Sequence, residues 1–369
     1  MLAYLLFVLI CVLICRISIR VSFYVLIIGC SVSLLLLPDT GADYGAYKDA
    51  YDNAYFTIEY PWFQTASSLT AEPAYKWYTS FFANVIPLGF SSFLMFNFLL
   101  CVLLTFYWSK LIPEWKKYIY IFWLYSLPVV FPTIFYWSPR SSISFIMIFG
   151  GFLYMLKNEK IMSVILFFCG CSIHSQYLLF SFLIIYTCFS LRLLKPNLYL
   201  AFAVCSACAL AFVLRSLSEF TQVLSSMLDF MPSSATITAI MHYFEEEQGG
   251  WGYRLTSVLS IFVFPAIAWS LIKNRRFADK AVVEEFVDGY YYLYVFFCII
   301  LYGCAINIAF IDMSHLASRL GRFSDYMAMC FLFPLYIRYK FGDNMLIILL
   351  LLFCVMAPFI YKGLYANLY

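Results

Sequence analysis

Charged side chains are scarce in this chain. Only 12% of its residues are Asp, Glu, Lys or Arg, and the formal net charge is +3. A soluble domain carries about twice that share of charge, so the composition leaves no room for a separate soluble domain. The small net charge gives no argument for a nucleic-acid partner, and we expect none.

Motifs of soluble enzymes and of metal sites are also missing. The chain has no Walker A loop, GxGxxG, GxSxG or HExxH pattern, which argues against ATP-driven transport. Its thirteen cysteines include one CxxC pair, Cys205 and Cys208, but no second such pair to complete a zinc site. The pair Cys169 and Cys171 is a weak signal, because buried cysteine usually acts as a small apolar residue. We therefore expect no cofactor and no metal site.

Long apolar runs dominate what is present: 64% of the residues are hydrophobic and the mean hydropathy is +0.87. This composition predicts an all-α, polytopic membrane protein forming a single transmembrane domain over residues 1–369. We expect the first run to be a retained helix, because it lacks a basic start and a clean cleavage site. About twelve spans fit the membrane rule: 2–15, 21–37, 81–108, 118–137, 141–156, 161–173, 175–191, 198–214, 255–272, 290–311, 323–338 and 345–361. The third is long enough to be tilted or broken.

Basic residues mark one side of this arrangement. They occupy every second turn between the spans, namely Arg16 and Arg20, Lys110 to Lys117, Lys157 and Lys160, Arg192 and Lys195, Lys273 to Arg276, and Arg338 and Lys340. The positive-inside rule makes this side cytoplasmic. The opposite side then receives two long loops, residues 38–80 and 215–254.

Arginines at helix ends on the outer side break that rule: Arg140, Arg215, Arg254, Arg319 and Arg322. An arginine in such a place needs a counter-ion. The counter-ion is either one of the protein's own acids or a phosphate-bearing ligand, which a guanidinium binds in bidentate fashion. A structural ion pair is the simpler interpretation for any single arginine. Several converging arginines favour an anionic substrate.

The polar segment that starts at Pro38 follows an almost uncharged run and cannot lie in hydrocarbon. Pro38 ends the preceding helix, and Asp39 or Thr40 can cap a new one. In that helix Asp43, Tyr47, Tyr51 and Tyr55 recur at every fourth position and share one face. Carboxylates beside tyrosine rings predict a sugar-binding surface. An amphipathic helix lying on the membrane is the alternative. Asp39 and Asp43 are four apart, so they do not form the Asp-x-Asp pair of metal-dependent sugar transfer.

Three residues are candidates for a general base. His174 lies between two short apolar runs and is either hydrogen-bonded structure or a base with a pKa near the working pH. Asp43 and Glu72 are the other two, both from the loop 38–80. The residues alone do not decide among them.

Several motifs in order along the chain resemble the EpsG-like branch of Wzy-type O-antigen and exopolysaccharide polymerases. They are Asp39-Thr-Gly-Ala-Asp43-Tyr44 with Tyr47, then Glu72-Pro-Ala-Tyr75, Arg140 at the start of a span, His174 after a basic turn, and Arg319-Leu-Gly-Arg322 with Tyr326. The resemblance covers nearly the whole chain. Arg319 and Arg322 are three apart, so one helix can direct both the same way.

The resemblance implies a metal-independent membrane glycosyltransferase of GT-C-like architecture in the bacterial inner membrane, with its active site facing the periplasm. Its substrates would be two undecaprenyl-pyrophosphate-linked oligosaccharides, and the growing glycan would move to the non-reducing end of a repeat unit. Implied partners are the bilayer, a chain-length regulator and a flippase. The catalytic candidates are His174, Asp43, Glu72, Arg140, Arg319 and Arg322, and the substrate-binding candidates are Asp39, Tyr44, Tyr47, Tyr75, Arg215, Arg254 and Tyr326.

The chemistry of these residues fits such a transfer. A leaving pyrophosphate develops negative charge that preorganised arginine stabilises, and the anomeric carbon becomes oxocarbenium-like. Three alternatives remain. An O-antigen ligase would use similar outer arginine and histidine residues. A lipid-linked oligosaccharide flippase would carry charges along its helix middles, which are nearly uncharged here. A non-enzymatic scaffold would not need outer arginines that converge.

Overall fold

Helices make up all the regular secondary structure in the part of the chain that the computed structural model describes. That part comprises residues 19–36, 42–56, 72–86, 88–108, 138–228, 257–273, 289–311, 313–332 and 336. The α-helices are α1 (Ile19–Leu36), α2 (Ala42–Phe56), α3 (Pro73–Asn84), α4 (Phe90–Trp108), α5 (Pro139–Leu156), α6 (Lys160–Ile173), α7 (Leu178–Leu193), α8 (Tyr199–Leu228), α9 (Phe264–Lys273), α10 (Gly289–Ala309) and α11 (Ser314–Met327).

Short 3₁₀ and π segments join or extend some of these helices. Ser175–Tyr177 and Pro196–Leu198 are 3₁₀ turns that lead into α7 and α8, whereas Leu259–Val263 and Ala328–Leu332 are π segments at the start of α9 and the end of α11. π segments are rare and often lie at functional sites.

Four helical stretches in the described part are long and apolar enough to cross a membrane: Phe90–Trp108, Pro139–Leu156, Ser175–Leu193 and Pro196–Leu217. Shorter apolar helices occupy Phe23–Val32, Lys160–Ile173, Leu259–Lys273 and Leu293–Ala309. These helices indicate a membrane protein and agree with the predicted all-α class. Their exposed residues are largely apolar, as a lipid-facing surface requires; α8, for example, exposes Phe212 and Val213.

Helices occupy the positions of most predicted spans, in whole or in part. The predicted third span is broken, because α3 ends at Asn84 and α4 begins at Phe90. α8 continues to Leu228, beyond the predicted end at residue 214, and α11 begins at Ser314, before the predicted start at residue 323. The predicted spans 2–15, 118–137 and 345–361 lie outside the described residues, so the count of twelve and the GT-C-like architecture stay predictions.

The described residues up to Ser181 form one compact unit, here called the first unit, and those from Phe182 onward form the second unit. The boundary falls inside α7. The prediction of a single domain concerns the whole chain, including its undescribed residues, and stays a prediction.

An aromatic cluster joins α2, α3 and α4 in the first unit. Tyr51 of α2 packs on Phe93 of α4 with ring centroids 4.9 Å apart, and its hydroxyl donates to the carbonyl of Leu88 at 2.9 Å. Tyr78 and Phe82 of α3 contact the same Phe93 ring. Rings that pack edge-on or tilted stabilise a core beyond the area they bury. This cluster fixes α3, and therefore the residue at its N-terminus.

α5 is the most enclosed helix of the first unit, with 89% of its residues buried. It lies against α6 at close range: Ser163 donates to the carbonyl of Gly151 at 2.8 Å, and Ser144 donates to the carbonyl of Gly170 at 2.7 Å. A Cβ added at Gly151 would come within 2.8 Å of the Phe167 ring. Small residues and hydroxyls at such an interface let two membrane helices approach closely.

α10 is the centre of the second unit and packs against α8, α9 and α11. The buried Tyr302 hydroxyl links helices by hydrogen bonds with Thr187 at 2.9 Å and Ser206 at 3.1 Å. Gly303 lies directly under the Ser324 side chain, which leaves no room for a Cβ. Ser260 in the first π segment donates a short hydrogen bond to the buried carboxylate of Asp325.

Candidate active site

Three chain segments of the first unit meet at the side chain of Glu72. Glu72 is the N-cap of α3 and precedes Pro73. Arg140 lies in the first turn of α5, and His174 follows the last residue of α6. The sequence interpretation proposed all three as catalytic candidates, and the structure brings them into direct contact.

Each oxygen of the Glu72 carboxylate accepts hydrogen bonds from a different segment. Oε2 accepts from Nη1 of Arg140 at 3.0 Å. Oε1 contacts Nδ1 of His174 at 3.0 Å, and it accepts from the backbone N–H and from the hydroxyl of Ser175, both at 2.9 Å. The side chains of Glu72, Arg140 and His174 are 17%, 20% and 10% exposed, so the group is largely shielded from solvent but reachable.

These donors determine the charge of Glu72. Burial alone would raise the pKa of its carboxyl group, but the hydrogen bonds from His174 and from the Ser175 N–H, together with the positive charge of Arg140, outweigh burial and lower the pKa from 4.5 to about 2. Glu72 is therefore ionised at any physiological pH. An ionised carboxylate accepts hydrogen bonds and donates none.

The ionised carboxylate in turn determines the tautomer of His174. Because the Glu72 oxygen only accepts, Nδ1 of His174 must carry the hydrogen in their 3.0 Å contact. In the neutral imidazole the other nitrogen, Nε2, is then the basic one. A carboxylate that holds one imidazole nitrogen protonated and leaves the other basic is the arrangement that activates histidine as a general base.

Local sequence explains why each side chain reaches this point. A residue before proline is restricted to extended backbone, and Glu72 has φ −61° and ψ 145°. Glu72 therefore stays outside α3, and its side chain extends away from the start of that helix. His174 is likewise extended, with φ −151° and ψ 106°, between α6 and the 3₁₀ turn Ser175–Tyr177. Its backbone N–H closes α6 by donating to the carbonyl of Gly170 at 3.0 Å.

Tyr47 supports Arg140 from α2. The Arg140 guanidinium carbon lies 5.8 Å from the centroid of the Tyr47 ring, within the range of a cation–π contact. The Tyr47 ring also meets the Tyr75 ring edge-on at 6.0 Å. Arg140 is thus held by a carboxylate on one side and an aromatic ring on another, which limits the directions its guanidinium can take.

The described tyrosine side chains of α2 point inward, whereas the side chain of Tyr55 lies outside the described residues. Tyr44 is 2% exposed and packs on Phe90, and Tyr47 and Tyr51 are 6% and 2% exposed. Tyr75 is buried as well. The helix over Ala42–Phe56 exists as its spacing predicts, but its tyrosine face covers α3 and α4. Binding roles for Tyr44, Tyr47 and Tyr75 stay predictions, and the described contacts make them supports of the site.

The remaining candidates are distributed as follows. Asp39 and Arg254 lie outside the described residues, and of Asp43 only the helical backbone is described. Arg215 is exposed on α8 and pairs with Glu219 at 3.0 Å, the i,i+4 ion pair that the simpler interpretation expects. Arg319 and Arg322 lie half-buried on α11 in the second unit, and Tyr326 is buried on the same helix. Whether these arginines converge with Arg140 stays a prediction.

Sequence reasoning did not select Ser175 as a site residue, although it contributes two hydrogen bonds to Glu72. Its position next to His174 is the one available signal. Among the residues that the structure describes, no group of three or more His, Cys, Asp or Glu is placed to hold a metal ion.

Comparison with known protein families gives a match to the EpsG family over residues 19–369. The chain belongs to the EpsG family. The resemblance drawn from the sequence motifs is thereby confirmed, and family membership together with the apolar helices indicates a membrane protein. No curated protein and no solved structure matches the chain.

Proposed function

We propose that this EpsG-family protein is a Wzy-type surface-polysaccharide polymerase in which His174, oriented by Glu72, is the general base. Membership of the family supports the coarser part, a glycosyltransferase-like polymerase of exopolysaccharide or O-antigen synthesis. The observation that carries the residue assignment is the 3.0 Å contact between Nδ1 of His174 and the ionised carboxylate of Glu72.

In this proposal the substrates are two oligosaccharides linked to undecaprenyl pyrophosphate, bound at the periplasmic face of the bacterial inner membrane. Nε2 of His174 takes the proton of a hydroxyl at the non-reducing end of the acceptor unit. The hydroxyl oxygen forms a bond to the anomeric carbon of the donor glycan while the bond from that carbon to the phosphate oxygen breaks. The products are the extended glycan and undecaprenyl pyrophosphate, and the proton remains on His174 until it passes to solvent.

Glu72 has two roles in this step. It holds Nδ1 of His174 protonated, and its negative charge stabilises the imidazolium that forms when Nε2 takes the proton. Glu72 does not serve as the base itself, because its low pKa makes it a poor proton acceptor and four donors already occupy its oxygens. This assignment selects His174 from the three candidates that the residues alone left open.

Arg140 is the candidate for binding anionic substrate oxygen in the first unit. One guanidinium nitrogen contacts Glu72, whereas Nε is buried and has no hydrogen-bond partner among the described residues. A buried guanidinium N–H without an acceptor is costly unless a ligand oxygen or water supplies one. We propose that Arg140 contacts the pyrophosphate, where developing charge makes the contact stronger in the transition state. The same role is proposed separately for Arg319 and Arg322 of the second unit.

A deletion strain tests the proposed function. Removing the gene should leave single repeat units on lipid A, because synthesis, export and ligation of one unit remain intact. Loss of all surface glycan together with accumulated cytoplasmic lipid-linked units would point to a flippase. Polymer that remains lipid-linked and fails to reach lipid A would point to a ligase. Either of these results would contradict the polymerase proposal.

A further inference from the structure

Asn97 places a carboxamide inside the apolar helix α4, at 0% exposure. All three of its described hydrogen bonds reach other helices. Its Oδ1 accepts from the hydroxyl of Tyr78 on α3 at 3.1 Å. Its Nδ2 donates to Oγ of Ser142 at 2.6 Å and to the carbonyl of Pro139 at 3.2 Å, both on α5. Burying a polar group in such a helix costs free energy unless the group is hydrogen-bonded. The hydrogen-bond partners of Asn97 therefore indicate what its carboxamide does.

The network itself fixes which way the amide faces. The Ser142 hydroxyl donates to the carbonyl of Pro139 at 2.6 Å, so its oxygen has only acceptor capacity to offer Asn97. The Pro139 carbonyl accepts only. The NH₂ group of Asn97 must therefore face α5, and its oxygen must face Tyr78. The reverse orientation would set the Asn97 oxygen against the Pro139 carbonyl, acceptor against acceptor.

The two helices joined by Asn97 are the ones whose N-termini carry the ion pair of the site. Tyr78 lies on α3, which begins directly after Glu72, and the Pro139 carbonyl belongs to the peptide that precedes Arg140. We propose that Asn97 is a positioning residue: its carboxamide fixes the first turn of α5 against α3 and so holds Arg140 against Glu72. Only the kinetic part of its test rests on the proposed function.

Two other polar links between helices of the first unit lie further from the site. Ser144 and Ser163 also bond across α5 and α6, but they do so to the carbonyls of Gly170 and Gly151, further along α5. Asn97 is hydrogen-bonded to α3 and to the first turn of α5 at once. A substrate-directed arginine at that turn needs its backbone held, because a displacement of about 1 Å is enough to reduce turnover on the order of 10²-fold.

The first test measures the position of Arg140 without relying on activity. Purified protein in nanodiscs is treated with phenylglyoxal, which modifies accessible guanidinium groups, and labelling of Arg140 is quantified by peptide mass spectrometry. Asn97→Leu keeps the branched shape and the number of side-chain heavy atoms and removes all three bonds, so Arg140 should label several-fold faster than in the unmodified protein. Tyr78→Phe removes one bond and should give a smaller increase in the same direction.

Thr187→Val is the matched control. Thr187 is fully buried in a span and bonds to the Tyr302 hydroxyl at 2.9 Å, but its network lies in the second unit. Its substitution should leave Arg140 labelling unchanged. If Asn97→Leu does not fold, Tyr78→Phe and Ser142→Ala carry the test. Unchanged Arg140 labelling in folded variants of this network would overturn the positioning role.

The second test separates positioning from general stability. Turnover of lipid-linked repeat units is measured for Asn97→Leu in the unmodified background and in a Glu72→Gln background. A positioning residue should lower kcat by on the order of 10-fold in the first background and have little further effect in the second. If Asn97→Leu lowers kcat by an equal factor in both backgrounds, Asn97 has a structural role only. If labelling changes as expected but Glu72→Gln polymerises normally, the positioning role stands and the proposed function of the site is contradicted.

Discussion

Nδ1 of His174 and Oε1 of Glu72 lie 3.0 Å apart although 102 positions separate the two residues in the chain. One ends α6 and the other caps α3, and both have extended backbones that turn their side chains away from their helices. Arg140 completes the group from the first turn of α5. A carboxylate placed between an imidazole and a guanidinium serves either as a structural tie or as part of a catalytic site, and the two differ in what substitutions do.

Glu72→Gln should abolish polymerisation or reduce it by on the order of 10²-fold while the protein still inserts. Glutamine keeps the size of the side chain but removes the charge that stabilises the imidazolium. Glycan length on the cell surface and protein level in the membrane fraction measure the two effects.

The chain supplies a matched control for this change. Glu219 forms an ion pair with Arg215 at the same 3.0 Å distance, but on an exposed surface of α8. Glu219→Gln should leave glycan length unchanged, because exposed pairs contribute little. Equal defects from Glu72→Gln and Glu219→Gln would contradict a special role for Glu72.

Thermal stability should depend on the Glu72 charge in one pH window. Its pKa falls from 4.5 to about 2 on folding, so the stabilisation is present above about pH 4.5 and is lost as pH falls through about 2. The difference in melting temperature between the unmodified protein and Glu72→Gln should therefore not shrink between pH 8 and pH 5. It should shrink below about pH 4.5. Differential scanning fluorimetry in detergent measures the difference in melting temperature in both pH ranges. If that difference disappears between pH 7 and pH 5, Glu72 does not carry the assigned charge.

Arg140→Lys tests whether the site needs a planar guanidinium or only a positive charge. Lysine can keep an ion pair with Glu72 but cannot bind a phosphate with two parallel donors. Arg140→Lys should keep normal membrane levels yet lose most polymer, with a loss on the order of 10²-fold or more. Arg319→Lys and Arg322→Lys should do the same, leaving single repeat units on lipid A.

The control for these changes is Arg215→Lys, because Arg215 is exposed and paired within its own helix. It should give a full ladder of glycan lengths. Unmodified ladders from Arg140→Lys, Arg319→Lys and Arg322→Lys together would rule out the pyrophosphate contact, even for a protein that proves to be a polymerase.

Thiol labelling of introduced cysteines can determine on which side of the membrane the site lies. Asp49 and Lys195 are both exposed, the first in loop 38–80 and the second in a basic turn. In a cysteine-free background, Asp49→Cys should react with a membrane-impermeant thiol reagent added to the periplasm, and Lys195→Cys should stay protected. Reaction at Lys195→Cys alone would reverse the orientation and place the site on the cytoplasmic side.

Glu72, Arg140 and His174 were selected from the sequence as candidates, but their mutual contacts were not predicted. Glu72 before proline, Arg140 at a helix start and His174 between two apolar runs each stand out locally, because charge is rare in this chain. Their contact depends on how helices pack, which local spacing does not determine. Without that contact the choice between His174 and Glu72 as base stayed open.

The tyrosines of α2 show the opposite case. Their four-residue spacing correctly predicts a shared helix face, yet spacing does not tell whether that face meets ligand, lipid or protein. The structure buries Tyr47 and Tyr51 against α3 and α4. Asn97 was missed because a single amide in an apolar run gives no periodic signal, and only its three partners reveal its place.

The most direct measurement of the central claim is the rate of polymerisation by purified His174→Gln protein with lipid-linked repeat units as substrate. Glutamine can still donate a hydrogen bond to Glu72 but cannot take a proton from the acceptor hydroxyl. The account predicts a rate lower by roughly 10²–10⁴-fold, with unchanged melting temperature and membrane insertion. A near-normal rate of polymerisation by His174→Gln would contradict it and leave the Glu72–His174 pair as structure.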